Sequence, residues 1–470
     1  MLLILVLNEI KNCVLTMRFL VSLLFVLMVY TGSSIIFSKK YSNQKVNEIS
    51  RMQDYQSNLE GARSGVEGLY DQWFVLIKKQ ELTGFFSTGS ENRFPQGFMI
   101  SPDAPQGSSG TGSMLVSSYG TNYKIGNYLD FDLTFIVGIL LSFLAIILTF
   151  DTICGDRELG VLKQVLSNAV PRSYVVAAKF LGILTTLLCP ILLGSILSVI
   201  VFQLLIGQNV LFLFPWETAV SVFISLVYLS IFIGLGIAVS GWVTKSSTSL
   251  AILLLIWISA NVLAPGAGSM LVERFYPVHT QEQHEMQFQS ILTAEGWPHG
   301  LGDLARGTGT EEQWKVADRW EQHRNAEFEN FVVDRFNELT DQAKKAENFG
   351  MFSPYVTFRR VMEWLAGTGL GYHTRFFHAV REYRNETLQF ITDQDRMDPA
   401  SRHHIISVNE IRAMSKKPVD PALVPHFQWP PRGIVINKIG EAVPAGIYLV
   451  VLNVICLLTA LSVFLRMDVR

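Results

Sequence analysis

The chain has 470 residues, of which 49% are hydrophobic and 17% are charged. It is more apolar than ordinary soluble proteins, and its apolar residues fall in runs of about 20, long enough to cross a bilayer. The formal net charge of −2 gives no basic footprint for nucleic acid. All four cysteines lie in or beside apolar runs, which excludes a disulfide framework in the polar regions: Cys13, Cys154, Cys189 and Cys456.

Residues 1–38 predict an elbow helix followed by a first membrane span. Lys11 and Arg18 stand beside apolar residues, which is typical of a helix lying in the cytoplasmic interface. The apolar run from Phe19 to Phe37 continues past the small residues Gly32–Ser34, where a cleaved signal peptide would end. We therefore expect a retained span.

Residues 39–130 form the first polar region. A helix-like stretch, Tyr41–Leu59, passes into Gly, Ser and Pro-rich sequence at Asn92–Ser118. The segment Gly107–Ser113 resembles a phosphate cradle in composition, but it lacks the Lys and the Ser or Thr that follow in a P-loop. A flexible loop is the better interpretation.

Five further apolar runs bring the total to six spans, so the sequence predicts an all-α polytopic membrane protein. The runs are 131–150, 180–206, 218–243, 249–271 and 444–465. They divide the chain into residues 1–38, 39–130, 131–271 with a charged loop at 151–179, 272–443, and 444–470. The region 272–443 is long enough to be a domain of its own.

Positive charges near the span ends set the orientation. The loop between spans 3 and 4, Gly207–Glu217, has no Lys or Arg, although Lys39 and Lys40 lie on the same side as this loop. By the positive-inside rule both termini are cytoplasmic, and 39–130 and 272–443 are exterior. The cytoplasmic charges are Lys11, Arg18, Arg157, Lys163, Arg172, Lys179, Lys245, Arg466 and Arg470.

The spans lack ionisable residues in their central parts. Between Phe135 and Thr149, and across the middle of spans 3 to 6, the polar residues are Ser, Thr, Asn and Gln. Ion-driven carriers use ionisable groups at membrane depth, so we expect the energy for any transport to enter from outside this chain. Span 5 is interrupted by three candidate residues of a translocation path: Asn261, Pro265 and Gly266. Spans 2 and 5 would be the walls of a route between two copies.

Small residues line one face of span 4. This face permits close helix contact, and two interpretations stay open: packing within the chain or a subunit interface. The residues are Gly234, Gly236, Ala238 and Ser240.

The charged loop contains a short amphipathic pattern. Val161, Leu162, Val165 and Leu166 would share one face of a helix, which Pro171 ends. The residues alone leave two interpretations open. One is an interfacial helix that connects two spans, and the other is a helix that docks in a partner's groove.

The run Gly155–Leu162, followed by Pro171–Arg172 and Lys179, resembles the cytoplasmic loop of ABC-2-type exporter permeases. Asp156 stands where that family usually has Glu, and Val161 where it usually has Thr. The resemblance implies contact with a separate cytoplasmic ABC ATPase subunit through one set of residues: Asp156, Arg157, Glu158, Gly160, Leu162, Val165, Leu166, Pro171, Arg172 and Lys179.

The same resemblance implies a permease subunit in a bacterial inner membrane. It would be surrounded by membrane lipid and paired with a second copy or a paralogue, without catalysis of its own and without cofactor, metal or nucleic acid. The alternative is a non-transporting machine or scaffold that acts mechanically on a periplasmic partner. A closed bundle would favour this alternative, and an opening between two copies would favour transport.

The second polar region predicts three helices. Glu311–Phe349 carries an apolar stripe, Ser353 and Pro354 have the pattern of a helix start before Tyr355–Leu365, and a third helix covers about Tyr372–Ile391. These features resemble an exterior insertion in one branch of ABC-2-type permeases.

All nine histidines lie in the second polar region, yet their spacing does not match a metal site, so surface or capping roles are expected. The sequence contains no HExxH, GxSxG or GxxxxGK[ST] motif. A tethered hydrolase therefore has no motif to support it. The histidines are His279, His284, His299, His323, His373, His378, His403, His404 and His426.

Overall fold

The structure is a computed structural model. It describes residues 2–79, 81–89, 94, 97–100, 131–167, 170–207, 215–294, 303–304, 308–404, 407–408, 411–431 and 442–467. The Gly107–Ser113 loop and His299 lie outside the described residues.

Among these described residues, six helices are long and apolar enough to cross a membrane, which confirms the predicted number and the all-α architecture. They are span 1, Met17–Ser64; span 2, Leu133–Glu158; span 3, Arg172–Ile206; span 4, Trp216–Trp242; span 5, Ser246–Phe275; and span 6, Val443–Arg466. A short helix, α1 (Leu2–Val14), precedes them and packs along span 3.

The helix of span 1 continues far beyond the membrane. It runs unbroken from Met17 to Leu59, 43 residues or about 65 Å. Thr16 begins it, because its side chain accepts a hydrogen bond from the amide of Phe19. The predicted helix Tyr41–Leu59 is therefore the outer part of this same helix, since no proline or glycine separates it from Phe37.

Spans 2 and 5 each contain a wider, π-helical turn. In span 2 the turn is Ile136–Leu141, between Leu133–Phe135 and Ser142–Thr149. In span 5 it is Ser259–Leu263, between Ser246–Ile258 and Ala264–Phe275. Such turns interrupt the regular α-helical hydrogen-bond ladder and are often found at functional sites.

Spans 2 and 4 form the centre of the bundle. Two-thirds of their apolar stretches are buried, 67% in each, against 22–28% in the other four spans. The small-residue face of span 4 packs inside the chain: Gly234 lies against Cys456 of span 6, and Gly236 against Thr149 of span 2. The structure thus uses this face for close helix packing within the chain.

The described residues nearest the two termini lie at one end of the bundle, which we call the loop end. Arg18 of span 1 pairs with Asp151 near the end of span 2, and Arg157 bonds to the carbonyls of Gly241 and Val243 where span 4 ends. Met467, after span 6, lies beside Arg157. The described parts of the polar regions lie at the opposite end, which we call the outer end.

The two polar regions share one apolar core, and we call the two regions together the polar domain. Tyr55 and Phe74 from the first region pack with Phe377, Tyr383 and Phe427 from the second. The Tyr55 and Tyr383 hydroxyls lie 3.1 Å apart. The first region therefore does not form a separate unit, a relation that hydropathy alone does not reveal.

The polar domain is mainly helical, with two small antiparallel sheets. Phe74–Ile77 pairs with Gly97–Ile100, and Ser407–Val408 with Ile411–Arg412. The helices are Val66–Tyr70, Gln281–Ala294, Glu311–Gly350, Pro354–Ala366 and Leu370–Arg396, with short 3₁₀ turns at Glu60–Ser64, Leu82–Phe85 and Pro421–Leu423.

Three helices predicted in this region are confirmed within a few residues. The Ser353 side chain accepts a hydrogen bond from the amide of Val356, so Ser353 caps the helix that Pro354 begins. Gly367 ends that helix with φ 68°, a left-handed conformation that favours glycine.

Two of the described histidines are buried, although surface positions were expected. His373 is 1% exposed and His404 is 6% exposed. His404 lies between two carboxylates, 3.0 Å from Glu311 and 3.7 Å from Asp318. Among the described residues, no group of His, Cys, Asp and Glu could hold a metal ion.

Candidate functional site

The candidate site is the part of the charged loop that precedes span 3, of which residues 151–167 and 170–171 are described; it lies at the loop end, and we keep the name charged loop for it. A short helix, Val161–Ser167, forms at the predicted amphipathic pattern, and a second short helix, Cys154–Glu158, precedes it. Gly160 separates them with φ 72°, a conformation in which a helix cannot continue and which glycine adopts without strain. Pro171 then stands at the cap position of span 3.

Asp156 belongs to an ionic cluster around the buried Lys179. Its carboxylate lies 2.7 Å from the Lys179 ammonium, which also lies 3.1 Å from the carboxylate of Glu9 in α1. The Lys179 side chain is only 6% exposed, so these charge-assisted hydrogen bonds replace its hydration. The cluster ties the charged loop to span 3 and to α1.

Arg157 and Glu158 bind opposite ends of two neighbouring helices. Arg157 donates to the carbonyls of Gly241 and Val243, both at 3.3 Å, where span 4 ends. Glu158 accepts hydrogen bonds from the amide and the hydroxyl of Ser246, both at 2.9 Å, where span 5 begins. A cation at a helix C-terminus and an anion at a helix N-terminus are both favourable positions.

The remaining contacts reach spans 1, 4 and 6. Arg172 donates to the carbonyls of Leu465 and Met467, both at 3.1 Å, and Arg18 pairs with Asp151 at 2.8 Å. The hydroxyl of Ser240 accepts hydrogen bonds from the first amides of the Cys154–Glu158 helix and its cap. The charged loop, which overlaps the end of span 2, and the adjacent Arg172 of span 3 thus bond to spans 1, 3, 4, 5 and 6.

The apolar residues of the loop divide between the chain's own core and the surface. Leu162 is 1% exposed and belongs to the core of the bundle, and Val165 and Leu166 are half-buried against that core. Leu159 is 80% exposed and Val161 is 39% exposed. The face assigned to a partner's groove therefore faces the chain's own spans, because the turn at Gly160 folds the second helix back onto them.

The candidate translocation residues do not form one surface. Asn261 is 3% exposed, with its amide 3.4 Å from the Tyr228 hydroxyl. Pro265 is also buried, whereas a side chain at Gly266 would meet open space. Of these three residues, Gly266 alone faces away from the bundle. Span 2 lies in the centre of the bundle, a position that does not suit a wall between two copies.

The whole chain matches one family model. The match to the model described as ABC-2 family transporter protein covers residues 3–469. The chain belongs to the ABC-2 transporter family. No curated protein matches it. In this ABC-2 transporter chain, the charged loop and the adjacent Arg172 bond to spans 1, 3, 4, 5 and 6, and the loop lies at the position to which the sequence resemblance pointed.

Several residues that bond to the charged loop of this ABC-2 transporter could not be identified as site residues from the sequence. Glu9, Arg18 and Asp151 are charged residues near span ends on one side, and that shared side was a signal for pairing. Ser240 and Ser246 gave no such signal, because serines at helix ends are common and their partners lie more than 80 residues away.

Proposed function

We propose that this chain is the permease subunit of an ATP-driven exporter in a bacterial inner membrane. A separate cytoplasmic ATPase subunit binds and hydrolyses the ATP, and a second permease copy or a paralogue completes the complex. The loop end faces the cytoplasm, so both termini are cytoplasmic and the polar domain is exterior. The excess of Lys and Arg near the loop end supports this orientation.

The contacts of the charged loop carry this proposal. A partner that displaces Asp156, Arg157 and Glu158 moves the ends of spans 3, 4 and 5 together, since each side chain bonds to a different span. Leu159 and Val161 are the apolar side chains of the loop that face outward, and they offer the partner a contact. In this proposal the charged residues Asp156, Arg157 and Glu158 hold the spans, and Leu159 and Val161, which were not among the expected coupling residues, meet the ATPase.

The proposal is tested by isolating the tagged chain from its native membrane in mild detergent. We expect an ABC ATPase subunit to copurify in a fixed ratio and the sample to hydrolyse ATP. The isolation is repeated with Lys163→Ala as a matched control, because this substitution changes an exposed residue of the same loop without altering the contacts of the loop to the spans. Absence of any ATPase from both preparations would contradict the proposal.

A second candidate function is a force-transmitting machine that moves no cargo. One observation favours it: helix Pro354–Ala366 of the polar domain contacts spans 2, 4, 5 and 6 at the outer end of the bundle. Export of a compound by the reconstituted complex would exclude this candidate. ATP-dependent movement of the polar domain without any export would favour it.

A further inference from the structure

Helix Pro354–Ala366, which we call the junction helix, begins on the π-helical turn of span 5. The hydroxyl of its capping residue, Ser353, donates to the carbonyl of Ala260 at 2.6 Å. Ala260 lies within the turn Ser259–Leu263. A π-helical turn displaces carbonyls from the regular ladder, and here a side chain of the polar domain satisfies one of them.

The π-helical turn of span 2 is the second contact. The carbonyl of Gly138 accepts a hydrogen bond from the Tyr228 hydroxyl of span 4 at 2.8 Å. Because Gly138 has no side chain, the ring of Tyr355 packs against its backbone. Phe358, one turn further along the junction helix, stacks on Tyr228 with ring centroids 4.4 Å apart.

These contacts lie deep in the bundle. Tyr228 is fourteen residues before Trp242, which marks the loop end of span 4. This distance along a helix is about 21 Å, less than the roughly 30 Å thickness of the hydrocarbon core. Phe358 is fully buried, at 0% exposure. The first turns of the junction helix therefore enter the transmembrane bundle from the polar domain.

The other end of the junction helix is fixed to the polar domain. The Thr83 hydroxyl donates to the carbonyl of Ala366 at 3.1 Å, and the Thr368 hydroxyl donates to that of Ser87 at 2.8 Å. On its flank, Arg360 lies 3.7 Å from Glu347 of the long helix Glu311–Gly350. Both polar regions thus hold the same short helix.

The junction helix and the charged loop act on the same four spans from opposite ends. The junction helix contacts spans 2, 4, 5 and 6. The charged loop overlaps the end of span 2. Arg157 joins it to span 4 and Glu158 joins it to span 5, while the adjacent Arg172 bonds to span 6.

We propose that the junction helix transmits movement of the spans to the polar domain, with the two π-helical turns as hinges. Conversion of a π-helical turn to α-helix shifts the register by one residue, which rotates a helix by about 100° and moves it by about 1.5 Å along its axis. Such a shift in span 2 or 5 displaces Gly138 or Ala260, and the junction helix moves with it. The drive for this movement rests on the proposed function.

The test measures distance changes in the complex with its ATPase. With the exposed Cys189 replaced by Ala, nitroxide labels are placed on Asn330→Cys in the polar domain and Leu204→Cys at the outer end of span 3. Pulsed electron paramagnetic resonance compares the nucleotide-free and ATP-vanadate states. We expect the distance to change in this reference protein and most of that change to be lost in Phe358→Ala, with ATP hydrolysis retained.

Phe376→Ala is the matched control, because Phe376 is equally buried but lies in the core of the polar domain. It should keep the distance change. Ser353→Ala is a milder second variant, which removes one hydroxyl and should reduce the change even if Phe358→Ala fails to fold. A full distance change in Ser353→Ala and in folded Phe358→Ala would overturn the inference and indicate transmission through the long helix of span 1.

Failure of the inference is distinguishable from failure of the proposed function. ATP hydrolysis without any distance change in the reference protein contradicts the inference alone. If no ATPase associates, the proposed function is wrong, and hydrogen exchange of the isolated chain decides the inference. There, Glu158→Gln at the loop end should speed exchange in the junction helix. Unchanged exchange would overturn the inference.

Discussion

Leu159 should be a main contact of the ATPase, and Leu159→Asp tests this. Leu159 is 80% exposed on the outer side of the charged loop, whereas Leu162, three residues later, is 1% exposed. Burying a leucine side chain contributes about 1.5–3 kcal/mol, so burial of the exposed fraction contributes about 1.2–2.4 kcal/mol. Its loss should weaken ATPase binding roughly sevenfold to fiftyfold.

The assay measures the dissociation constant between the chain in lipid nanodiscs and the purified ATPase. The thermal unfolding temperature of Leu159→Asp alone should stay close to that of the unmodified chain, since exposed substitutions usually change stability by less than about 0.5 kcal/mol. Leu162→Asp is the matched comparison. It places an unpaired carboxylate in the core of the bundle, which costs several kcal/mol, so it should lower the unfolding temperature itself.

The two variants together separate a surface contact from a structural one. Our account requires weaker binding without instability at Leu159, and instability at Leu162. If folded Leu159→Asp binds the ATPase with unchanged affinity, the outward face of the loop is not the contact, and the reasoning from exposure is refuted.

Three further predictions follow from the ionic cluster, the N-terminal helix and the orientation. Lys179→Met leaves two carboxylates without their shared cation, which should lower the free energy of unfolding by about 3 kcal/mol. The unfolding temperature in detergent should therefore fall, and an unchanged temperature would contradict a structural role for the cluster. Burial raises the pKa of the Cys13 thiol to about 11. At pH 8 its alkylation, followed by mass spectrometry, should be about 100-fold slower in the folded than in the denatured chain, and equal rates would exclude this burial. With Cys189 replaced by Ala, Asn330→Cys should react with an impermeant thiol reagent from the periplasmic side and Lys163→Cys only from the cytoplasmic side; the reverse pattern would invert the orientation.

The parts of the fold that depend on local sequence could be predicted. Apolar runs determine the six spans, and the Ser353–Pro354 pair and Gly367 determine the limits of the junction helix, because caps act within one turn. The end of the span 1 helix was harder to predict, because the sequence becomes polar near Lys39 while helix-forming residues continue to Leu59.

The long-range contacts could not be predicted. Nothing in the sequence near Phe358 indicates that it stacks on Tyr228, 130 positions away. The sequence shows a glycine at position 160 but does not show that this glycine adopts a left-handed conformation. That conformation turns the second helix so that Leu162 faces inward. In the charged loop, the sequence identified the charged residues but not their partners, because each partner comes from a different span.

Transport by the reconstituted complex tests the central claim most directly. Proteoliposomes containing this chain and its ATPase are supplied with ATP, in the presence of an ionophore that abolishes ion gradients, and movement of the compound that copurifies with the complex is measured. Because the described central parts of spans 2 to 6 carry no Asp, Glu, Lys, Arg or His, transport should proceed with ATP alone and stop when the ATPase is inactivated. Transport that requires an ion gradient and ignores ATP would contradict the account.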